Sequence, residues 1–283
     1  MIKKINQHSL GIYMVVLAMI CVQSGTAIAK FLFPVLGPAG TVSLRLGIAS
    51  LLLLVIFKIK IFGRSKFDYY WCLSYGVCLA GMNLSFYYAI KFIPMALGTT
   101  IEFTGPLALA IILSRKYQDF IWAGLASLGI ALITPWSNTN SINIIGILLA
   151  ALAGIFWVGY ILCGKIISQK MESIDAVTLG MGVAFLIVLP LGLNDGFVEK
   201  LNIKWLLLGA CVALLSSAIP FSLDMRAFNK LSSKTYSILM SLHPALAALS
   251  GFIFLGEHLN LIQILAILSV IIASIGSAIT SKR

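Results

Sequence analysis

From Phe120 to Gly164 the chain runs for 45 residues without a single Lys, Arg, Asp or Glu. A helix rises 1.5 Å per residue and needs about 20 predominantly apolar residues to cross a bilayer. This one stretch is therefore long enough to cross twice, and Pro135 followed by Trp136-Ser137-Asn138 divides it. Three more uncharged runs reach spanning length: 69–90, 235–256 and 258–281. The composition points the same way, with 60% hydrophobic and 10% charged residues and a mean hydropathy of +1.03. Soluble domains average about 45–50% apolar and 25% charged. These features exclude an ordinary soluble domain and predict an all-α membrane protein.

Splitting the apolar runs at turn and charge signals predicts ten transmembrane helices, at 10–29, 38–57, 70–90, 95–114, 118–135, 143–163, 174–193, 204–223, 234–254 and 260–279. Lys58, Lys60, Arg64 and Lys66 end the second, and Pro94 separates the third from the fourth. Basic residues resist translocation and stay cytoplasmic. With the N-terminus inside, 15 of the 20 basic residues fall in cytoplasmic segments, against Lys30, Lys91, Lys200 and Lys204 outside and Arg45 within a helix. Both termini of this multi-pass protein are thus expected in the cytoplasm. The same bias accounts for the net charge of +11 without nucleic acid. The first apolar stretch exceeds a signal-peptide core of about 7–15 residues, so it is expected to remain as a span. The five cysteines fall inside or at the ends of spans, with no CxxC or Cys/His spacing, so neither a disulfide framework nor a metal or other cofactor is expected.

The chain also repeats itself. A shift of 138 residues lays the segment from Phe103 to Ala108 on that from Ser241 to Leu246, pairing Pro106 with Pro244, and lays Ala89 on Ala227; shifts of 135 and 134 lay Lys30 on Lys165 and Trp71 on Trp205. Two repeats, 1–136 and 137–283, each of five helices, follow. An odd number of spans makes the second repeat enter the membrane from the opposite side. Inverted repeats of this kind recur in secondary transporters, with the substrate site near the midplane between the halves.

Six segments then carry a resemblance: Gln23 to Gly37, Leu44-Arg45-Leu46, Gly81-Met82-Asn83, Glu102 to Ala108, Trp157 to Gly164, and Ser241 to Glu257. Together they resemble the drug/metabolite transporter superfamily of the EamA type, and within it the bacterial branch that exports threonine and homoserine. The resemblance implies a ten-helix inner-membrane carrier that exports small zwitterionic amino acids, driven by protons. One departure bears on that implication: the family pattern looks like Glu-Pro where this chain has His243-Pro244. An imidazole there replaces a carboxylate and puts substrate preference and coupling in question.

Charges within the hydrocarbon region are costly and mark functional positions by default. Arg45 and Glu102 each lie 7 residues into their predicted helices from the outer end, about 10 Å deep. They are placed to pair, or to hold the carboxylate and ammonium of a zwitterion; a purely structural ion pair is the alternative. Gly105-Pro106 is expected to interrupt helix four, as His243-Pro244 interrupts helix nine, each break lining a cavity, and Thr104 beside the first break is a further substrate-binding or coupling candidate. His243 can change charge near neutrality and so offers a coupling group, packing being the commoner role of a lone His. Gln23, Asn83, Tyr87, Trp157 and Tyr160 are candidate cavity walls, with interhelical contact as the alternative. Asp224 and Glu257 are placed at helix ends, where boundary solvation explains them. Small residues at four-residue spacing, such as Gly146, Ala150 and Gly154, favour close packing within the bundle; one such face is also available for a homodimer.

The function expected is therefore export of small amino acids by alternating access with proton antiport. Export of aromatic amino acids or other metabolites on the same fold is the alternative, and a membrane-embedded lipid-processing protein a more distant one. No HExxH, GxSxG or Gly-rich phosphate loop supports an enzyme.

Overall fold

A computed structural model describes residues 7–29, 31–93, 95–113, 117–133 and 143–240, and thereafter 242–243, 245–246, 249, 261–262, 265, 268–269 and 272–273. Among the described residues all regular structure is helical. The helices are α1 (Gln7–Ala29), α2 (Phe33–Ile56), α3 (Lys66–Phe92), α4 (Met95–Ile112), α5 (Tyr117–Ile133), α6 (Ile144–Ile167), α7 (Ser173–Asn194), α8 (Ile203–Phe228) and α9 (Ser233–Leu239). Five of them, α1, α2, α6, α7 and α8, are long and apolar enough to cross a membrane. Pro94 and Pro135-Trp136-Ser137-Asn138, the expected breaks on either side of helices four and five, lie outside the described residues.

The helix starts follow from local polar chemistry. Ser65 accepts from the Asp68 N–H while Asp68 accepts from the Ser65 N–H, a reciprocal cap that begins α3 at Lys66. Asn143 opens α6 by accepting from the N–H groups of Ile145 and Gly146, and Asn202 and Ser232 open α8 and α9 likewise.

Prolines act differently in three helices. In α2, Gly37 adopts φ +69°, a conformation that favours glycine, so the chain turns sharply before Pro38. A short helical turn from Phe33 thus precedes the span expected from residue 38. In α4, Pro106 sits inside a helix that continues through it, so the expected interruption at Gly105-Pro106 does not occur. Pro106 still removes the N–H that would bond the Glu102 carbonyl four residues earlier. That carbonyl faces Gly154 of α6, where a Cβ would lie 2.6 Å from it. A Cβ on Gly105 would come within 2.2 Å of the Gly154 carbonyl oxygen, so α4 and α6 touch backbone to backbone here.

In α8, residues Leu214–Ala218 form a single π turn, closed by the Ile219 N–H on the Leu214 carbonyl. Pro220 follows directly and lacks the N–H that the Ser216 carbonyl would otherwise receive. The helix then runs on to Phe228, one turn beyond the expected end at 223.

Around these features α3 packs on α6 and α7, α2 on α7, α1 on α8, and α4 on α6. The shared core includes Tyr75, Leu79, Phe103, Trp157, Tyr160, Met225 and Phe228.

Candidate functional site

A cavity of about 80 Å³ lies where α1, α2, α3, α4, α6, α8 and the end of α9 converge. Eight of the residues singled out in the sequence line it: Gln23, Arg45, Asn83, Tyr87, Glu102, Trp157, Tyr160 and His243.

Arg45 is 2% exposed, deep in α2. Its Nη1 donates to Ser216 Oγ at 3.0 Å and to the Ser216 carbonyl at 3.3 Å. That carbonyl is available because Pro220 supplies no donor, and Ser216 Oγ accepts from Arg45 because its own proton goes to the Val212 carbonyl at 2.7 Å. Nη2 donates to Asn83 Oδ1, and Asn83 is oriented by its Nδ2 donating to the Leu79 carbonyl at 2.7 Å. The guanidinium carbon lies 4.8 Å from the centre of the Tyr87 ring. Nε has no partner among the described residues. A guanidinium carries five N–H donors in a fixed fork, so Arg45 keeps donors for an anion despite its protein contacts.

Glu102 is buried and lines the same cavity, but it forms no ion pair with Arg45. The direct pairing allowed by their equal depth is replaced by neutral partners, Ser216 and Asn83, around the guanidinium. The carboxylate and the guanidinium are thus both presented to the chamber.

His243 packs its ring edge-on against Trp157, with centroids 5.2 Å apart, and Trp157 in turn meets Phe103. The His243 N–H reaches back to the Met240 carbonyl at 2.9 Å, and the His243 carbonyl accepts from Gln23 Nε2 at 2.8 Å. Gln23 thereby ties α1 to the turn that follows α9. Pro244 lies outside the described residues.

Three expected site residues stand elsewhere. Thr104 is exposed, and its hydroxyl donates to the Ile101 carbonyl at 2.6 Å. Gly105 and Pro106 do not line the cavity; they form the α4 contact with α6 just beyond Glu102.

The structure adds a residue explained above by boundary solvation. Asp224 is buried, lines the cavity, and accepts from the Tyr160 hydroxyl at 3.1 Å through Oδ2, while Oδ1 has no partner among the described residues. Tyr75 packs against Tyr160 with centroids 5.2 Å apart, and Tyr236 of α9 lines the same end of the chamber. Asp224 was missed because the extra turn of α8 carries it inward. The repeat held a signal for it: the 138-residue shift that pairs Pro106 with Pro244 lays Asn83 on Phe221 and Phe86 on Asp224, and all four line the cavity. Thr26, Thr99 and Ser216 are further wall residues that sequence reasoning did not name. Among the described residues no cluster of His, Cys, Asp or Glu is arranged to hold a metal ion, and the five cysteines are free thiols.

Residues 144–279 match the profile of the EamA-like transporter family. Over 275 residues, 97% of this chain and 93% of the relative, the sequence is 41% identical to the threonine/homoserine exporter RhtA of Salmonella typhimurium (strain LT2). The chain belongs to the EamA-like transporter family. The same coverage at 39% identity relates it to the threonine/homoserine exporter RhtA of Escherichia coli (strain K12). A more distant relative, the uncharacterized transporter YwfM of Bacillus subtilis (strain 168), is 25% identical over 197 residues, 65% of this chain and 64% of that one. A protein crystal structure with 13% sequence identity has the same fold, at a TM-score of 0.75 over 96% of this chain and 98% of the other. As an EamA-like transporter, the chain is a multi-pass membrane protein that moves a solute and is not an enzyme. Its chamber is the place to seek that solute.

Proposed function

We propose that the chain exports small amino acids of the threonine and homoserine kind across a bacterial inner membrane, by alternating access with proton antiport. One observation carries this reading. One chamber presents a buried guanidinium with an Nε–H unpartnered among the described residues and, without pairing to it, a buried carboxylate. The substrate carboxylate docks on Arg45, its ammonium on Glu102, and Gln23, Asn83, Tyr87 and Tyr160 bind or bound the remainder. The relatives named as threonine/homoserine exporters, aligned over nearly the whole chain, support the substrate class.

The architecture we infer is ten helices in two inverted repeats, 1–136 and 137–283, with both termini cytoplasmic. Support comes from the chamber itself. Besides the pairs already noted, the 138-residue shift lays Glu102 on Met240, and a shift of 134 lays Gln23 on Trp157 and Thr26 on Tyr160; every one of these residues lines the cavity.

At about 80 Å³ the chamber is small beside ligand sites of about 300–1,000 Å³. Substrate entry therefore requires the walls to part, as alternating access demands. Glu102 is the proton-carrying group in this scheme, with His243 the second candidate.

The aromatic walls, including Phe86, Trp157 and Phe221, favour a second reading, export of aromatic amino acids. Inside-out vesicles separate the two. Labelled threonine and homoserine are expected to accumulate only with an imposed pH gradient. Accumulation of labelled phenylalanine or tryptophan without threonine or homoserine overturns the small-substrate reading and leaves the fold intact.

A further inference from the structure

A second cavity, apolar in its lining, lies away from the transport chamber. It has a volume of about 620 Å³, runs along α2 and α7, and reaches the start of α3. Part of its depth comes from a missing side chain: Gly182 of α7 lines it, and a Cβ there would meet no heavy atom within 4 Å, whereas Gly47 of α2 is covered by the Phe185 ring. Leu51 and Leu186 line it and are 62% and 65% exposed, so it opens on the surface that faces hydrocarbon. At one end it is bounded by Ile61 and Tyr69, in and just after the α2–α3 loop.

Positive charge outnumbers negative at that end. Lys58, Lys60 and Lys66 are exposed around Ile61 and Tyr69. The nearby carboxylates are engaged: Asp175 pairs with Arg64 at 2.5 Å, and Asp68 caps α3 through the Ser65 N–H. An apolar furrow in contact with lipid fills with hydrocarbon, and three lysines at its mouth select a negative headgroup. Each lysine near such a surface is worth about fivefold in affinity for anionic lipid.

We infer that the furrow between α2 and α7 is a binding site for one anionic phospholipid, with an acyl chain over Gly182 and its phosphate on Lys58, Lys60 and Lys66. The site is separate from the transport chamber and stands whatever that chamber carries. Held there, the lipid bridges α2, which bears Arg45, and α7.

Native mass spectrometry of the full chain in detergent, titrated with phosphatidylglycerol or with phosphatidylcholine of identical chains, tests it. The wild type is expected to retain one phosphatidylglycerol at concentrations where phosphatidylcholine is lost. Gly182→Leu, which fills open space, is expected to remove that lipid. Lys58→Gln with Lys60→Gln and Lys66→Gln, all exposed changes, is expected to abolish the preference while leaving thermal unfolding unchanged. Equal retention of both lipids by the wild type overturns the proposal, as does wild-type preference in the triple lysine variant. If Gly182→Leu fails to fold, the lysine variant decides alone.

Discussion

Replacing Gly105 by alanine places a methyl carbon 2.2 Å from the Gly154 carbonyl oxygen and 2.6 Å from its carbonyl carbon. Both are backbone atoms, so no side chain can swing away. Restoring a carbon–oxygen contact of about 3.3 Å requires α4 and α6 to separate by about 1 Å. Added atoms in a packed interior cost about 1–3 kcal/mol, and a backbone obstacle puts this change at the upper end. Glu102 and Phe103 precede the contact on α4, and Trp157 follows it by three residues on α6, so the separation also loosens the chamber wall. Unfolding of the purified chain in mixed micelles, titrated with a denaturing detergent, measures the cost. Gly124→Ala and Gly182→Ala are the controls, because a Cβ at either position meets nothing within 4 Å. In those helices alanine is expected to be neutral or to stabilise by up to about 1 kcal/mol. A Gly105→Ala variant as stable as the two controls would refute the backbone-contact argument.

Glu102→Gln is expected to abolish gradient-dependent accumulation of threonine in inside-out vesicles without lowering the amount of folded protein; undiminished transport would make the carboxylate structural. Tyr160→Phe leaves Asp224 without its hydroxyl donor and is expected to cost about 1–3 kcal/mol. Adding Asp224→Leu to that variant is expected to recover most of the loss, and strict additivity of the two changes would deny the coupling. Lys91→Cys, exposed at the end of α3, is expected to react with a membrane-impermeant maleimide in spheroplasts. Labelling only after permeabilisation would reverse the proposed orientation.

The sequence was legible where a single physical rule governs. Apolar runs split at turn and charge signals placed α6 and α7 within a few residues of their observed ends, with Lys165 and Asp175 falling in the terminal turns, where charge reaches the membrane surface. Intramembrane charge likewise led to Arg45 and Glu102, and polar or aromatic residues on apolar helices led to Gln23, Asn83 and Tyr160. The rule failed where proline was involved. Gly105-Pro106 reads as a break, yet α4 continues, since a proline within a helix removes one hydrogen bond and a neighbouring helix can occupy the space. The apolar run ending at Leu223 suggests that α8 stops there, yet the helix continues through Pro220 to Phe228 and brings Asp224 inside. Direct pairing of Arg45 with Glu102 was suggested by depth alone. The competing acceptors on Asn83 and Ser216 come from other helices, and no spacing along the chain reveals them.

The π turn in α8 has a geometric consequence. It holds one residue more than an α-turn, and one residue at 3.6 per turn is about 100° of rotation. Everything after Ala218 is therefore indexed differently around the helix axis from everything before it. The stripe of Phe221, Asp224 and Phe228 meets Tyr160 only because of that offset. The helix is in effect two pieces set at different azimuths, with Ser216 at the joint holding the guanidinium. Deleting a single residue from 214–218 would leave the span long enough to cross the membrane and would turn its carboxyl away from the chamber.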